Sequence, residues 1–183
     1  MQRIELLASM FHRRWTVPAL SSLWSERGSK FVALVKTLGA SPGGMRATVD
    51  DLIDDGLVMR NPGYGHPMRP EYVLTGRGTI IGSRCASLMD ALKDSGLRNI
   101  VKSKWAVPVL YVLSSKERRF SELASSLPHV TDRALAICLK QLCAAKIVQR
   151  RIEDTYPPSV IYSMAPKGNK VRAEIAALVS VLK

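Results

Sequence analysis

The sequence repeats itself with a shift of about 90 residues, and this internal repeat constrains the fold more than any other feature. Residues 14–20 read RWTVPAL, and residues 104–110 read KWAVPVL. The matched positions continue along both halves, within one residue of the same shift: Phe31 and Phe120, Leu34 and Leu123, Leu52 and Leu142, Leu57 and Ile147, Val58 and Val148, Arg60 and Arg150, Tyr72 and Tyr162, and Gly78 and Gly168. The repeat therefore predicts two copies of one small domain, each with its own version of the working surface.

The composition is that of an ordinary globular protein, with 46% apolar and 23% charged residues in a chain of 183. The sequence has no run of about 18 consecutive apolar residues, and residues 1–10 lack the order of a secretion signal. We therefore expect a soluble, cytoplasmic protein with no membrane partner. The cysteines Cys85, Cys138 and Cys143 are an odd number without metal-ligand spacing, and they are interpreted as small buried apolar residues.

The net charge indicates an acidic partner. Lys and Arg number 27 against 15 Asp and Glu, a formal charge of +12. Residues 1–95 carry +3 and residues 96–183 carry +9. This excess suits a polyanion such as nucleic acid, where neutralising phosphates releases condensed counterions. The second copy should supply most of this attraction; the alternative is that the basic residues only keep the protein soluble.

The second copy shows the order of secondary structure most clearly. A first helix carries Trp105, and a short helix follows that Ser121 is expected to cap. A longer helix capped by Thr131 has one apolar face and one free face. Residues 147–152 and 160–164 alternate like the strands of a hairpin, and a last helix follows. This order is typical of a winged helix, in which one exposed helix enters the major groove of DNA.

Six segments of the second copy form one ordered pattern over about 60 residues. They are KW at 104–105, RRFSEL at 118–123, LPHVT at 127–131, LKQL at 139–142, IVQRR at 147–151 and YPPSVIYS at 156–163. In this order and spacing they resemble the HxlR-type winged-helix regulators of bacteria, relatives of the MarR group. The first copy is a weaker match, with RW at 14–15, DLIDDGLV at 51–58, PEY at 70–72 and LTGRG at 74–78. It departs from the pattern with SPGG at 41–44, where the recognition helix should begin.

The resemblance implies homodimers whose terminal helices pack together and place two winged helices on successive half-sites. Because this chain contains both modules, we expect a mainly α fold with small β-hairpins (α+β), as tandem winged helix-turn-helix domains forming a single-chain pseudo-dimer. The first domain is predicted at residues 1–95 and the second at 96–183. Residues 4–10, 81–92 and 171–182 would form the dimer-like core, since their apolar faces need burial. Two independent domains are the alternative, and further self-association is left open.

The recognition helices hold the first group of candidate DNA-binding residues. In the second copy these are Thr131, Asp132, Arg133, Ala136, Ile137 and Lys140. Arg133 is the candidate for a guanine contact. In the first copy they are Ser41, Gly43, Gly44, Arg46 and Ala47. Glycine is a poor helix former, so Gly43 and Gly44 are expected to loosen the first turn of that helix.

The wings and the short helices supply the remaining candidates. The wing residues are Arg60, Tyr64, His66, Arg69, Arg150 and Arg151. Phosphate or minor-groove contacts are expected for the wing arginines, idle surface being the alternative. Further phosphate contacts are assigned to Ser121, Arg119 and Lys30. The acidic run from Asp50 to Asp55 is interpreted as a solvated face, and Trp15 and Trp105 as core.

The sequence offers little to an enzyme. The histidines His12, His66 and His129 lack metal-ligand spacing, and no glycine-rich phosphate loop follows a strand. We therefore expect no catalysis, metal or cofactor. Some HxlR-type regulators resemble thiol sensors with a cysteine shortly before the first-helix tryptophan. This chain has none at either equivalent position, which weakens a redox-sensing interpretation.

Two functions of different class remain. The first is a sequence-specific transcriptional regulator of the bacterial nucleoid that binds double-stranded DNA and reads two unequal half-sites with its tandem winged helices. The second is a winged-helix protein-interaction scaffold that recruits RNA polymerase, another regulator or a chromosome-organising partner. The charge favours DNA. The divergence at residues 41–44 allows a mixed interpretation, in which the second copy anchors DNA and the first reads a degenerate half-site or recruits a partner.

Overall fold

The structure, a computed structural model, describes residues 2–62, 70–93, 100–154, 156 and 158–182. These residues fall into two units: the first unit is Arg13–Asp90, and the second unit combines Met1–His12 with Ala91–Lys183. Both units mix helices with small sheets, as the sequence predicts. No helix within the described ranges is long and apolar enough to cross a membrane.

The first unit is a set of three helices followed by a hairpin and a long helix. Its elements are α2 (Thr16–Ser25), α3 (Phe31–Leu38), α4 (Pro42–Asp54), β1 (Val58–Arg60), β2 (Tyr72–Leu74) and α5 (Gly76–Lys93). β1 and β2 are antiparallel, with Met59 opposite Val73 and Arg60 opposite Tyr72. α2 contacts α3, α4 and β2, so it lies at the centre of this unit.

The second unit follows the order predicted for a winged helix. Its elements are α1 (Gln2–Met10), a 3-10 helix (Ile100–Lys102), α6 (Ala106–Ser115), β3 (Arg118–Arg119), α7 (Phe120–Ser126), α8 (Asp132–Ala144), β4 (Val148–Glu153), β5 (Ser159–Met164) and α9 (Gly168–Ser180). β5 lies between β3 and β4 and is antiparallel to both. The apolar helix α6 contacts α1, α7, α9 and β5, which makes it the core of the unit.

The start of α7 differs from the prediction that Ser121 caps it. The helix begins at Phe120, one residue before the serine. The Glu122 carboxylate accepts a hydrogen bond from the backbone N–H of Arg119 at 2.6 Å. A carboxylate in the first turn that reaches back to the N-cap amide is one half of a capping box. The prediction for Ser121 as a cap is therefore wrong, because an acid one residue later performs that role.

The position of α1 differs from the predicted division of the chain at residue 95. α1 lies before the first unit in sequence, yet it contacts α6 of the second unit. Leu7 and Phe11, at the end of this segment, are 0% and 2% exposed. A helix that buries large apolar side chains belongs with the core that covers them, so these first residues group with the second unit.

Most residues predicted to be core are buried. Trp15 and Trp105 are each 8% exposed, and Cys85 and Cys138 are 0% and 2% exposed. Burial raises the pKa of the Cys85 thiol and of the Cys138 thiol to about 12. Cys143 is only half-buried. The interpretation of the cysteines as buried apolar residues is thus confirmed for two of the three.

A glycine in each unit allows a helix to approach the backbone just before the hairpin. A Cβ at Gly78 would lie 1.8 Å from the carbonyl oxygen of Leu57, and a Cβ at Gly168 would lie 2.7 Å from that of Ile147. The same two carbonyls accept backbone hydrogen bonds, from Thr75 at 3.0 Å and from Ala165 at 2.8 Å. Each hairpin is therefore fixed to the helix that follows it through a contact that only glycine permits without a shift.

Candidate nucleic-acid interface

Helix α8 presents the polar face that the sequence predicts. Thr131 is its N-cap, and the threonine hydroxyl accepts a hydrogen bond from the backbone N–H of Ala134 at 3.2 Å. The buried side chains are Leu135, Cys138, Leu139 and Leu142. The predicted DNA-binding positions Thr131, Asp132, Arg133, Ala136, Ile137 and Lys140 are all exposed. α8 thus has one side that packs and one side that is available to a groove.

The exposed side of α8 combines two cations with an apolar side chain. Within the described residues, no ion pair involves Arg133 or Lys140. Ile137 lies between them in sequence and is 49% exposed. In the major groove an arginine can bind guanine O6 and N7, and an apolar side chain can contact the thymine methyl group. The helix therefore has the chemical groups that direct base readout requires.

The wing of the second unit carries its two arginines in different states. Both Arg150 and Arg151 are exposed on β4. Arg151 Nη2 lies 3.3 Å from Glu117 and 3.2 Å from Glu153, so two carboxylates compensate its charge. Arg150 has no ion pair among the described residues and lies opposite Tyr162 on the neighbouring strand. Arg150 is accordingly the better placed of the two for a phosphate.

The predicted phosphate contacts Arg119 and Ser121 are both exposed at the start of α7. Glu122 lies beside them, and its pKa is lowered by the hydrogen bond from the Arg119 backbone and by the charges of nearby Arg118 and Lys116. The carboxylate is therefore ionised at neutral pH and lies next to the predicted phosphate position. Lys30, the third predicted contact, is exposed at the N-cap of α3 in the first unit.

Helix α4 of the first unit is well formed at the end where two glycines were expected to loosen it. It begins at Pro42, and the Ser41 hydroxyl accepts a hydrogen bond from the backbone N–H of Gly44 at 3.2 Å. A Cβ at Gly44 would lie 2.9 Å from the Ser41 hydroxyl and 3.5 Å from the indole nitrogen of Trp15. The first turn is helical, because the serine caps it and the missing side chain lets Trp15 approach.

Arg46 lies at the centre of α4, and its side chain contacts its own unit. The guanidinium carbon lies 4.1 Å from the centre of the Phe31 ring. Arg46 Nη1 donates a hydrogen bond to the hydroxyl of Tyr72 at 2.9 Å. A guanidinium over an aromatic face is attracted by the quadrupole of the ring. A base contact by Arg46 would have to replace both interactions.

The other predicted residues of the first unit are placed as follows. Ser41 and Gly43 are exposed and Ala47 is half-buried on α4, while Arg60 is exposed at the end of β1. Tyr64, His66 and Arg69, the remaining wing candidates, lie outside the described residues. In the acidic run, Asp51 forms an ion pair with Arg13, in which Oδ2 and Nε are 2.5 Å apart.

The comparisons with known proteins place the second unit first. The HxlR-like helix-turn-helix family matches residues 100–183. The HTH-type transcriptional regulator YtfH of Escherichia coli is 32% identical over 101 residues, which cover 55% of this chain and 75% of YtfH. The chain belongs to the HxlR-like family.

Two further similarities describe how much of each HxlR-like relative is shared. The HTH-type transcriptional regulator YkvN of Bacillus subtilis is 32% identical over 75 residues, which are 41% of this chain and 64% of YkvN. The chain thus spans less than two thirds of YkvN. The solved structure of the regulator YtfH from Salmonella typhimurium is 31% identical, with a TM-score of 0.43, and the match covers 48% of this chain and 78% of that one.

The sequence gave no warning of several contacts around this HxlR-like surface. The carboxylates on Arg151 and the capture of Arg46 by Phe31 and Tyr72 join residues that are far apart in sequence. Trp24 was also missed. It is 43% exposed and is the third tryptophan of the chain, with Ser114 at the matched position of the second copy. That mismatch in the repeat was the available signal.

A groove in the second unit brings together the two described histidines. It has a volume of about 580 Å³ and is lined by residues of α1, the start of α6 and the turn before α8, among them Glu5, His12, Lys104, Trp105 and His129. Within the described ranges, no group of three or more His, Cys, Asp or Glu side chains could hold a metal ion. The histidines lie on exposed positions, so the groove is a surface feature rather than an enclosed site.

Proposed function

We propose that the protein is a sequence-specific transcriptional regulator that binds double-stranded DNA and reads two unequal half-sites with two winged helices. One observation carries the proposal: the exposed face of α8 presents Arg133, Ile137 and Lys140 beside a capped helix start. Membership of the HxlR-like family and the formal charge of +12 agree with it. The regulators YtfH and YkvN, to which the chain is similar, are HTH-type transcriptional regulators.

The second unit is the main DNA anchor in this proposal. α8 enters the major groove, which is about 12 Å wide, and Arg133 binds a guanine while Ile137 contacts a thymine methyl group. Arg150 on β4 and Arg119 before α7 bind phosphates on either side and fix the register of the helix. The charge of +9 on residues 96–183 supplies the attraction that does not depend on sequence.

The first unit reads a degenerate half-site. Its α4 has the same succession of caps and buried positions as α8, which supports a common origin. At the matched exposed positions, however, Gly43 replaces Arg133 and Asp50 replaces Lys140. Arg46 is the one arginine of α4, and it is bound to Phe31 and Tyr72. Base readout by this unit is therefore expected to be weaker than by the second.

Two modules in one chain have a consequence for the DNA site. The two units share the order of helices and hairpin, and Gly78 and Gly168 make the same close approach in each, which supports the proposal of tandem copies. A homodimer is symmetric and prefers a palindrome, because each subunit presents the same surface. A single-chain pseudo-dimer with unlike recognition helices is free to read an asymmetric site.

The proposal is tested with a DNA sequence selected by the full chain from a randomised duplex pool. Arg133→Ala should lower the affinity for the selected duplex by about 1–3 kcal/mol, the usual value of a good base contact. This corresponds to roughly 5- to 150-fold in Kd. The matched control is Arg46→Ala, which removes the same side chain from the other recognition helix and should change the affinity less.

A scrambled duplex of equal length measures the binding that does not depend on sequence. Both variants should bind it almost as well as the wild type does, since nonspecific affinity comes from many phosphate contacts. If the wild type binds selected and scrambled duplexes equally, the proposal of sequence-specific binding is wrong. If the selected motif is a palindrome, the proposal of two unequal half-sites is wrong.

A further inference from the structure

An apolar patch lies on the first unit, where side chains from three elements are exposed together. Trp24 of α2 is 43% exposed, Met59 of β1 is 41% exposed and Ile80 of α5 is 55% exposed. With Val73 of β2 these residues form what is called here the Trp24 patch. A groove of about 530 Å³ runs beside it and is lined by Leu23, Trp24, Arg27, Val73, Leu74 and Thr79.

The Trp24 patch is continuous because its elements pack against one another. Met59 and Val73 are directly opposite on the antiparallel strands, so their side chains share one face of the sheet. Val73 and Trp24 line the same groove. A Cβ at Gly82 of α5 would lie 3.2 Å from the Cβ of Trp24, which shows how closely α5 approaches α2. The groove also includes Thr79, the neighbour of Ile80.

The second unit shows that this patch is not a requirement of the fold. The matched residues there are all polar: Ser114 for Trp24, Gln149 for Met59, Ser163 for Val73 and Lys170 for Ile80. Gln149 and Ser163 are opposite each other, as Met59 and Val73 are, and they are joined by a hydrogen bond of 3.0 Å. The same sheet face and helix positions are thus stable with polar side chains. An exposed apolar cluster that the fold does not need is typical of a binding surface.

Cations surround the patch and indicate the charge of its partner. Arg27 lines the groove itself. Arg77 and Arg84 are exposed on α5 about one turn before and after Ile80, on the same side of the helix. Glu26 is an exposed acid near Arg27, and it accepts a hydrogen bond from Ser22 at 2.9 Å. Three arginines against one acid favour a partner that carries carboxylates.

We propose that the Trp24 patch docks a protein segment that carries both bulky apolar side chains and acidic residues. A second copy of this chain fits poorly, because its formal charge of +12 would meet the same arginines. DNA also fits poorly, because its backbone offers phosphates and no apolar surface to cover a tryptophan and an isoleucine. This inference goes beyond the proposed DNA binding and does not depend on it.

The first experiment measures binding of short fluorescein-labelled peptides to the full chain by fluorescence polarisation. One peptide alternates Leu with Glu and Asp, a second has Lys in place of the acids, and a third has Ser in place of Leu. Only the acidic, leucine-rich peptide should bind. The emission of Trp24 should shift to shorter wavelength on binding, and this change should vanish in Trp24→Phe. Equal binding of the basic or the serine peptide, or no binding of any peptide, would overturn the proposal.

The second experiment gives the first unit the residues that the second unit already has. Trp24→Ser and Ile80→Lys, made singly, should each weaken peptide binding roughly tenfold or more, as expected for central anchors. Binding of the selected DNA duplex by the same variants shows that they are folded and should be unchanged. The matched control is Ile152→Lys, which removes an exposed apolar side chain from the second unit, 61% exposed, and should not affect the peptide.

Sedimentation of wild type and variants separates the remaining occupant. If the wild type self-associates and Trp24→Ser or Ile80→Lys abolishes that association, the patch is an interface between copies of the chain and the proposal is wrong. If all three proteins sediment alike while the peptide discriminates between them, the proposal is supported. The peptide result and the DNA result are independent, so either proposal can fail without the other.

Discussion

The substitution Gly78→Ala tests the contact that joins the first hairpin to α5. The new Cβ would lie 1.8 Å from the carbonyl oxygen of Leu57, whereas carbon and oxygen are in ordinary weak contact at about 3.3 Å. The start of α5 would therefore have to move by roughly 1.5 Å. Such a shift also breaks the 3.0 Å hydrogen bond from the Thr75 backbone to the same carbonyl.

The expected cost follows from these two losses. Overpacking costs about 1–3 kcal/mol, and a lost hydrogen bond about 1 kcal/mol. Alanine returns about 1 kcal/mol of helix propensity relative to glycine. Gly78→Ala should thus lower the free energy of unfolding of the first unit by about 2 kcal/mol. Gly168→Ala should cost less, because its Cβ would lie 2.7 Å from the carbonyl of Ile147 and needs a smaller shift.

The assay is urea denaturation followed by hydrogen exchange and mass spectrometry, which assigns stability to peptides of each unit separately. Gly43→Ala is the matched control, since a Cβ there meets nothing within 4 Å and α4 should gain up to about 1 kcal/mol. Unchanged protection of the first unit in Gly78→Ala would refute the reasoning. So would a larger loss in Gly168→Ala than in Gly78→Ala.

Two further outcomes are expected. Burial raises the pKa of Cys85 and of Cys138 to about 12, so between pH about 9 and 12 the unfolded thiols lose protons that the folded thiols keep, and stability measured in urea should fall as pH rises. At pH 8, iodoacetamide should label the half-buried Cys143 first, and simultaneous labelling of all three cysteines would contradict this. Glu117→Gln frees Arg151 from one of its two carboxylates. It should therefore strengthen binding to a scrambled duplex and make its salt dependence steeper by up to about one phosphate contact; an unchanged slope would count against a role for Arg151.

Local features of the sequence predicted the second unit well. Thr131 reads as an N-cap because its hydroxyl can reach an amide three residues later, and the structure has that hydrogen bond. The spacing of Leu135, Leu139 and Leu142 predicts which side of α8 is buried, and all three are buried. Both relations connect residues less than three turns apart on one helix. They depend on helix geometry alone, so the sequence was sufficient.

The features that the sequence did not predict depend on distant residues. Arg46 looks like a base-reading residue on α4 until Tyr72, which is 26 positions away, provides a hydroxyl for it. Arg151 looks like a free wing cation until Glu117, 34 positions away, lies beside it. No periodicity reports which strand edge meets which helix. The choice between a charge that binds DNA and one that is already compensated therefore requires the structure.

The grouping of α1 with α6 affects how the protein is made. The second unit begins in the first twelve residues and continues only at Ala91, after the whole of the first unit. At a synthesis rate of 5–20 residues per second, α1 would wait roughly 4–16 seconds on the ribosome for the rest of its core. The first unit can complete its fold during that interval, while Leu7 and Phe11 still lack the side chains that bury them. A fragment cut at the sequence repeat, starting at residue 96, would leave the face of α6 that α1 covers open to water.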